Sequence, residues 1–257
     1  MSHSQTKPDP IIALRERNLH MLKLDLTLRN PLRLINDTYH GLLAPGSLGA
    51  VLSRSGGGKT ALMVQVAMNG LLQERNVLHV SLTDPVEKVA LWYRELFTQM
   101  THLYGDSRAD QLWEALLRHR LIMTFCSHRF TLATLEERLR EMSEQNLFIP
   151  DLLIIDGLRF DGSEGPMLQQ LKNLAAKLRF HAWCTITTHR HEPSAGNGYP
   201  VQMDQVGECF EIILQLKSGE GLVQIRVLKH PASLLPKAPR TGLVLDPTTL
   251  LIRDVGI

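Results

Sequence analysis

The eight residues 53–60 read SRSGGGKT, and they separate an apolar run, LGAVL, from a run with helical spacing, ALMVQVAMNGLL. Three successive glycines are a poor start for a helix, because glycine loses more backbone freedom on folding than any other residue. A chain can accept that cost where successive backbone N–H groups must turn toward one anion. A strand, a glycine-rich turn and a helix in this order therefore predict a phosphate-binding loop.

The spacing of the loop agrees with the pattern G-x-x-x-x-G-K-[ST] at every position but the first, where serine replaces glycine. The helix that begins near Lys59 brings the positive end of its dipole to the site. Lys59 is expected to reach the β- and γ-phosphates, and the Thr60 hydroxyl to ligate Mg²⁺. A glycine-rich turn that merely caps a helix is the alternative. The predicted nucleotide-binding residues are Ser53, Arg54, Ser55, Gly56, Gly57, Gly58, Lys59 and Thr60.

A second motif offers a partner for the magnesium ion. Residues 152–156 read LLIID, an apolar run that predicts a buried strand ending in Asp156. Ligands of doubly wound sheets bind outside the carboxyl ends of the strands, so Asp156 is expected to hold a magnesium-bound water there. The alternative is an ordinary aspartate at a strand end.

The alternation of strands and helices predicts the fold class. The predicted strands are mostly apolar throughout, which is typical of a parallel sheet with helices on both faces. Two apolar runs around the tight turn SGEG, residues 218–221, predict a β-hairpin near the end of the chain. At the other end, residues 22–28 alternate leucine with polar residues, which favours a strand, and an amphipathic helix continuing from Ile11 is the competing interpretation.

Composition narrows the class of protein further. The 257 residues are 44% hydrophobic and carry a formal net charge of +2, so no strong basic field calls for a nucleic-acid partner. The three cysteines form no C-x-x-C pair, which favours reduced thiols in the cytoplasm. No apolar run approaches the roughly 18 residues of a membrane span, and the first ten residues have no apolar signal segment. We therefore expect a cytoplasmic protein with no membrane partner.

Taken together, the motifs resemble the RecA-type ATPase domain of DnaB-class ring helicases and KaiC-like proteins, and most of all small plasmid replicative helicases. The likeness rests on the phosphate loop, TDPVE after the second strand, IIDGLRF followed by GPM, and a strand that ends in TTHRH. It covers roughly residues 38–250. It implies a RecA-like P-loop NTPase fold with a mostly parallel twisted sheet, helices on both faces and a C-terminal β-hairpin. Residues 38–257 would form the ATP-binding domain, and residues 1–37 an N-terminal extension.

The resemblance also implies ligands and partners. They are ATP and Mg²⁺, single-stranded DNA, and further copies of the chain in a homo-oligomer such as a ring. Asp156 would organise the magnesium ion, and His189 would sense the γ-phosphate unless it is an ordinary histidine at a strand end. Lys229 matches a position that can reach the nucleotide of a neighbouring subunit, and a solvated lysine is the alternative. Arg226 is either an arginine finger acting on a neighbour or a solvent-facing charge.

One departure from the family concerns hydrolysis. Ring ATPases of this class place a glutamate just after the second strand, where it activates the attacking water, and the corresponding residue here is Thr83. A threonine hydroxyl has no useful basicity near neutral pH. Asp84 and Glu87 are the candidate replacements, although a displaced base costs rate because positioning dominates phosphoryl transfer. We therefore expect tight ATP binding with slow hydrolysis.

Other patterns leave alternatives open. Residues 189–192, HRHE, could place two histidines as a zinc pair, but no third ligand has suitable spacing. The aromatic stripe on the helix after TDPVE is either a platform for bases or part of the core; its residues are Trp92, Tyr93, Leu96 and Phe97. Two functions stay open, a slow ATPase that acts on or with DNA, and an ATP-dependent switch or assembly protein with little hydrolysis and no DNA binding.

Overall fold

The computed structural model describes residues 10–34, 43–127, 129–158, 160, 164–188, 203, 206–219, 221–230 and 242–255. The helices within these residues are α1 Pro10–Arg29, α2 Lys59–Leu72, α3 Val86–Thr101, α4 Asp106–Leu117, α5 Leu132–Glu144 and α6 Gly165–Leu178. The strands are β1 Leu48–Ser53, β2 Val77–Ser81, β3 Arg120–Thr124, β4 Leu152–Leu158, β5 His181–Thr187, β6 Ile212–Ser218, β7 Val223–Lys229, β8 Leu243–Leu245 and β9 Ile252–Asp254.

All of these strands join one sheet, in the order β3-β2-β4-β5-β1-β6-β7-β8-β9. Every pairing from β3 across to β6 is parallel. From β6 to β9 the pairings are antiparallel, beginning with the hairpin of β6 and β7. The predicted α/β class, with a mostly parallel sheet and a C-terminal hairpin, is confirmed.

The sheet is buried on both faces, as its apolar strands predict. One core packs α1, α2, α3 and α4 against the sheet, and a second core packs α5 and α6 against the opposite face. The interior strands β1, β2 and β4 are buried along almost their whole length. A rigid, doubly covered sheet therefore fixes where the carboxyl ends of its strands lie.

The N-terminal segment differs from the strand expected over residues 22–28. Helix α1 runs without a break from Pro10 to Arg29, as in the competing interpretation. Leu22 and Leu26 are buried, while Leu24 and Leu28 are exposed. Residues four apart lie on one face of a helix, so the alternating leucines divide between two helical faces and the strand prediction is wrong.

Polar contacts also hold α1 against α2. Asn30, which follows α1, donates through Nδ2 to Asn69 Oδ1 on α2 at 3.2 Å. Lys23 Nζ lies 2.7 Å from Glu74 Oε1, just beyond the end of α2. Helix α1 therefore packs on the helix that follows the glycine loop, and the division of the chain at residue 37 stays a prediction.

Candidate functional site

The glycine-rich loop lies at the carboxyl edge of the parallel part of the sheet. It connects β1, whose six residues are all buried, to α2, which starts at Lys59. Strand β1 pairs with β5 on one side and β6 on the other, and Thr188 N donates to Ser53 O at 3.0 Å. Ligands of α/β sheets bind outside this edge, so the predicted loop has the expected position.

Two of the loop glycines have a backbone that other residues adopt only with strain. Gly56 has φ +72°, and Gly58, the N-cap of α2, has φ +90°. A Cβ on Gly58 would also lie 2.5 Å from Leu245 Cδ2, and a Cβ on Gly57 would lie 1.9 Å from Ser53 Oγ. The glycines therefore let the loop curl tightly in front of α2, with its N-terminal amides facing the loop.

Lys59 lies over the loop that precedes it. Its Nζ donates to Ser53 O at 3.1 Å and to Arg54 O at 2.9 Å. Burial lowers the pKa of Lys59, and the charge of Asp156 opposes part of that effect. The ammonium group is thus held against the carbonyl oxygens at the start of the loop, close to where a phosphate at this loop would lie.

The structure brings together the two residues predicted to organise magnesium. Thr60 Oγ1 donates to Asp156 Oδ2 at 2.7 Å. Because the hydroxyl of Thr60 is the hydrogen-bond donor to the carboxylate, its oxygen lone pairs stay available for a cation. A hydroxyl and a buried carboxylate are hard oxygen donors of the kind that Mg²⁺ prefers, so these residues fit the predicted ion.

A third residue of this cluster is missing from the sequence predictions. Thr185 on β5 is buried, and its Oγ1 donates to the other carboxylate oxygen, Asp156 Oδ1, at 2.7 Å. The same Oγ1 accepts a hydrogen bond from Gly157 N at 2.8 Å. A polar residue in the middle of the apolar run AWCTI is the signal that could have identified it.

The segment that follows β2 lies beside Asp156 and Gly157, and the side chain of Thr83 packs there. Leu82 N donates to Asp156 O at 2.9 Å. Gly157 has φ +93°, and a Cβ there would lie 2.6 Å from Thr83 Cγ2. Thr83 therefore packs against Gly157, which follows Asp156, and it brings no carboxylate to this position.

The two candidate bases lie further along the same segment. Asp84 N donates a hydrogen bond to Ser81 Oγ at 2.9 Å, and Asp84 Oδ1 accepts one from Lys88 Nζ at 2.9 Å. Glu87 is exposed in the first turn of α3. The carboxylate of Asp84, which precedes α3, is thus engaged by Lys88 in the first turn of that helix. A catalytic role for either Asp84 or Glu87 stays a prediction.

The other residues to which the resemblance assigns a role are His189, Lys229 and Arg226, and none of them is seen at the glycine loop among the described residues. His189, and with it the HRHE segment, lies outside the described residues. Lys229 Nζ donates to Gly207 O at 3.0 Å and pairs with Glu208 Oε2 at 3.1 Å, so it contacts its own chain. Arg226 is exposed on β7. Within the part of the chain that is described, no group of three or more His, Cys, Asp or Glu could hold a metal ion.

The aromatic stripe of α3 belongs to the core. Tyr93, Leu96 and Phe97 are buried, and Trp92 is half-buried and packs against the same cluster. The interpretation as a core-facing stripe is confirmed, and three of the four side chains are inaccessible to bases. Among the described residues, no helix has both the length and the apolar character to cross a membrane.

The fold and the loop together define a class of protein. A glycine-rich loop between a buried strand and a helix, with its lysine at the carboxyl edge of a mostly parallel sheet, is the nucleotide-binding arrangement of P-loop NTPases, here on a RecA-like α/β fold. A family model described as an AAA domain matches residues 15–189, more than half of the chain, and the chain belongs to that family. A search of the curated proteins found no match.

Proposed function

We propose that the protein binds Mg-ATP at residues 53–60 and hydrolyses it slowly. The observation that carries the proposal is the hydrogen bond between Thr60 and Asp156, formed beside the loop that holds Lys59. It joins a hydroxyl, a carboxylate and an ammonium group at one helix N-terminus, which are the groups that a magnesium-bound polyphosphate requires.

Each residue has a distinct part in this proposal. The loop amides and Lys59 bind the β- and γ-phosphates, and they favour negative charge that develops on the transferred phosphoryl group. Thr60 and Asp156 would hold the magnesium ion, which supplies charge neutralisation of the phosphate oxygens when bound. Both parts depend on fixed geometry, which the buried strands β1 and β4 provide.

Slow hydrolysis follows from what surrounds the attack site. Thr83 stands where ring ATPases of the resembled class have their glutamate, and its neighbour Asp84 is paired with Lys88. A general base contributes about 10²–10⁴-fold to rate when it is positioned on the reacting water. Without such a residue, the protein would still bind ATP tightly but hydrolyse it slowly, so that ATP stays bound for longer.

The likeness to DnaB-class and KaiC-like ATPases supports action on or with single-stranded DNA, in a homo-oligomer. The pairing of Lys229 with Glu208 of the same chain favours the second candidate. In that candidate, ATP sets the conformation of a switch or assembly protein that neither hydrolyses it quickly nor binds DNA. Whether single-stranded DNA stimulates ATP turnover distinguishes the DNA-linked ATPase from the ATP-dependent switch.

The test is a steady-state ATPase assay on the native protein, with Lys59→Ala as the blank. We expect weak turnover above the blank, dependent on Mg²⁺. Fast turnover by the native protein would contradict slow hydrolysis. A several-fold rise on adding single-stranded DNA would support the DNA-linked function, and an unchanged rate would support the switch.

A further inference from the structure

A break in strand pairing lies directly beside the proposed magnesium site. Strands β4 and β5 pair in parallel with Ile155 opposite Cys184 and Leu158 opposite Ile186. Asp156 and Gly157 therefore stand together opposite the single residue Thr185. This is the geometry of a β-bulge, which leaves one residue out of the ladder and re-aims the side chains next to it.

The Thr185 side chain repairs the pairing that the bulge breaks. Gly157 N, which the shifted register takes out of the ladder, donates to Thr185 Oγ1 at 2.8 Å. Thr185 Oγ1 in turn lies 2.7 Å from Asp156 Oδ1. Because an amide can only donate, the hydroxyl oxygen accepts from Gly157 and its own proton points at the carboxylate.

The carboxylate of Asp156 is consequently held at both ends. Thr185 donates to Oδ1 from β5, and Thr60 donates to Oδ2 from α2. With Oδ1 fixed, the plane of the carboxylate is fixed, and Oδ2 stays on the side of the glycine loop. Groups that hydrogen-bond to a metal ligand commonly set its orientation in this way.

We propose that Thr185 is a positioning residue for magnesium-dependent nucleotide binding, acting through Asp156. The inference rests on the proposed function and adds a residue to that site. Two contributions to ATP affinity are therefore distinct. The loop and Lys59 bind the polyphosphate with or without magnesium, whereas Thr185 affects only the additional affinity that magnesium brings.

Two variants of Thr185 separate the effect of its hydroxyl from the effect of its side-chain packing. Thr185→Val keeps the shape and removes both hydrogen bonds, while Thr185→Ser keeps the hydroxyl. Thr101→Val is the matched control, because Thr101 is another buried threonine, whose Oγ1 donates to Phe97 O at 2.8 Å within α3. Thermal melting checks folding, and Thr185→Cys, a weak donor of similar size, replaces Thr185→Val if that variant does not fold.

The measurement is calorimetric titration with ATP, once in excess Mg²⁺ and once in excess EDTA. We expect Thr185→Val to bind ATP in EDTA as the native protein does, and to lose about 10–100-fold of the affinity gained with magnesium. Thr185→Ser and Thr101→Val should keep the full gain. A full magnesium gain in Thr185→Val would overturn this inference alone, whereas no ATP binding by the native protein would overturn the proposed function together with it.

Discussion

Thr60 Oγ1 and Asp156 Oδ2 lie 2.7 Å apart although 96 residues separate them in the sequence. The contact joins the first turn of α2 to the carboxyl end of β4. Each residue is recognisable from its own motif, as a predicted magnesium ligand. Their direct contact shows that both motifs lie at one edge of the sheet, where the glycine loop also ends.

The loop glycines should differ in how well they tolerate a side chain. Gly58→Ala combines a strained φ of +90° with a contact of 2.5 Å to Leu245, so we expect about 1–3 kcal/mol of lost unfolding free energy, with weaker ATP binding. Gly56→Ala has the strained φ but open space around its Cβ, and should lose less. Urea unfolding measures both.

The control for these variants is Gly105→Ala, where φ is −56° and no atom lies within 4 Å of the new Cβ. Gly105 is the N-cap of α4, where alanine ranks below glycine, so we expect this variant to lose less than about 1 kcal/mol of unfolding free energy. Equal stability of Gly58→Ala and Gly105→Ala would show that the loop does not need its left-handed residue.

The asparagine pair between α1 and α2 should contribute to stability. Asn30→Leu removes the donor to Asn69 and the acceptor of Leu32 N, leaving buried polar groups with fewer partners, so we expect a loss of about 1–3 kcal/mol in urea unfolding. Asn18→Leu, on the exposed part of α1, is the control. Native stability of Asn30→Leu would mean that α1 is only loosely attached.

Acid should destabilise the fold through two buried histidines. Burial lowers the pKa of His79 and of His181 from 6.5 to about 4. Between those pH values the unfolded chain binds more protons than the folded one, so stability is full above about pH 6.5 and falls as pH decreases toward 4. At pH 5 the loss is about 2 kcal/mol for each histidine.

The measurement is urea unfolding of native protein and His79→Leu at pH 7.5 and pH 5. In the native protein, the unfolding free energy at pH 5 should be lower than at pH 7.5. In His79→Leu this decrease should be smaller by the share of one histidine, about 2 kcal/mol. His20→Leu changes an exposed histidine and should leave the difference as in the native protein. An unchanged difference in His79→Leu would contradict the assignment.

A carboxylate at position 83 should speed hydrolysis. Thr83 is exposed beside Gly157, so a longer side chain can be accommodated there. We expect Thr83→Glu to raise ATP turnover by about a hundredfold through general-base catalysis. Thr83→Gln has the same size without the base, and equal rates for the two variants would rule out this position as the site of the base.

Much of the fold follows from local patterns. The all-apolar runs predicted the interior strands, and the strand–glycine–helix order predicted the loop and its place. The strand prediction for residues 22–28 failed because leucine at every second position is compatible with two structures. In a strand these leucines would share one face, and in a helix they divide between two faces. Only the packing of Leu22 and Leu26 on α2 and its neighbours decides between them.

The missing part of the site depends on pairing between strands. Thr185 stands out as a polar residue within the apolar run AWCTI, but its contact with Asp156 arises because β4 slips by one residue against β5, and no local pattern encodes that register. The pairing of Asp84 with Lys88 is local: Asp84 stands just before α3, and Lys88 lies in the first turn of that helix, four residues further on. Lys229 pairs with Glu208, a contact that depends on how the turn before β6 packs.

Calorimetric titration of Mg-ATP into the native protein and into Lys59→Ala tests most directly whether residues 53–60 bind a polyphosphate. We expect saturable heat for the native protein and, for Lys59→Ala, binding weakened at least about tenfold, because a charge-assisted contact to phosphate is lost. Absence of heat with the native protein, or equal affinity of the two proteins, would contradict nucleotide binding at this loop.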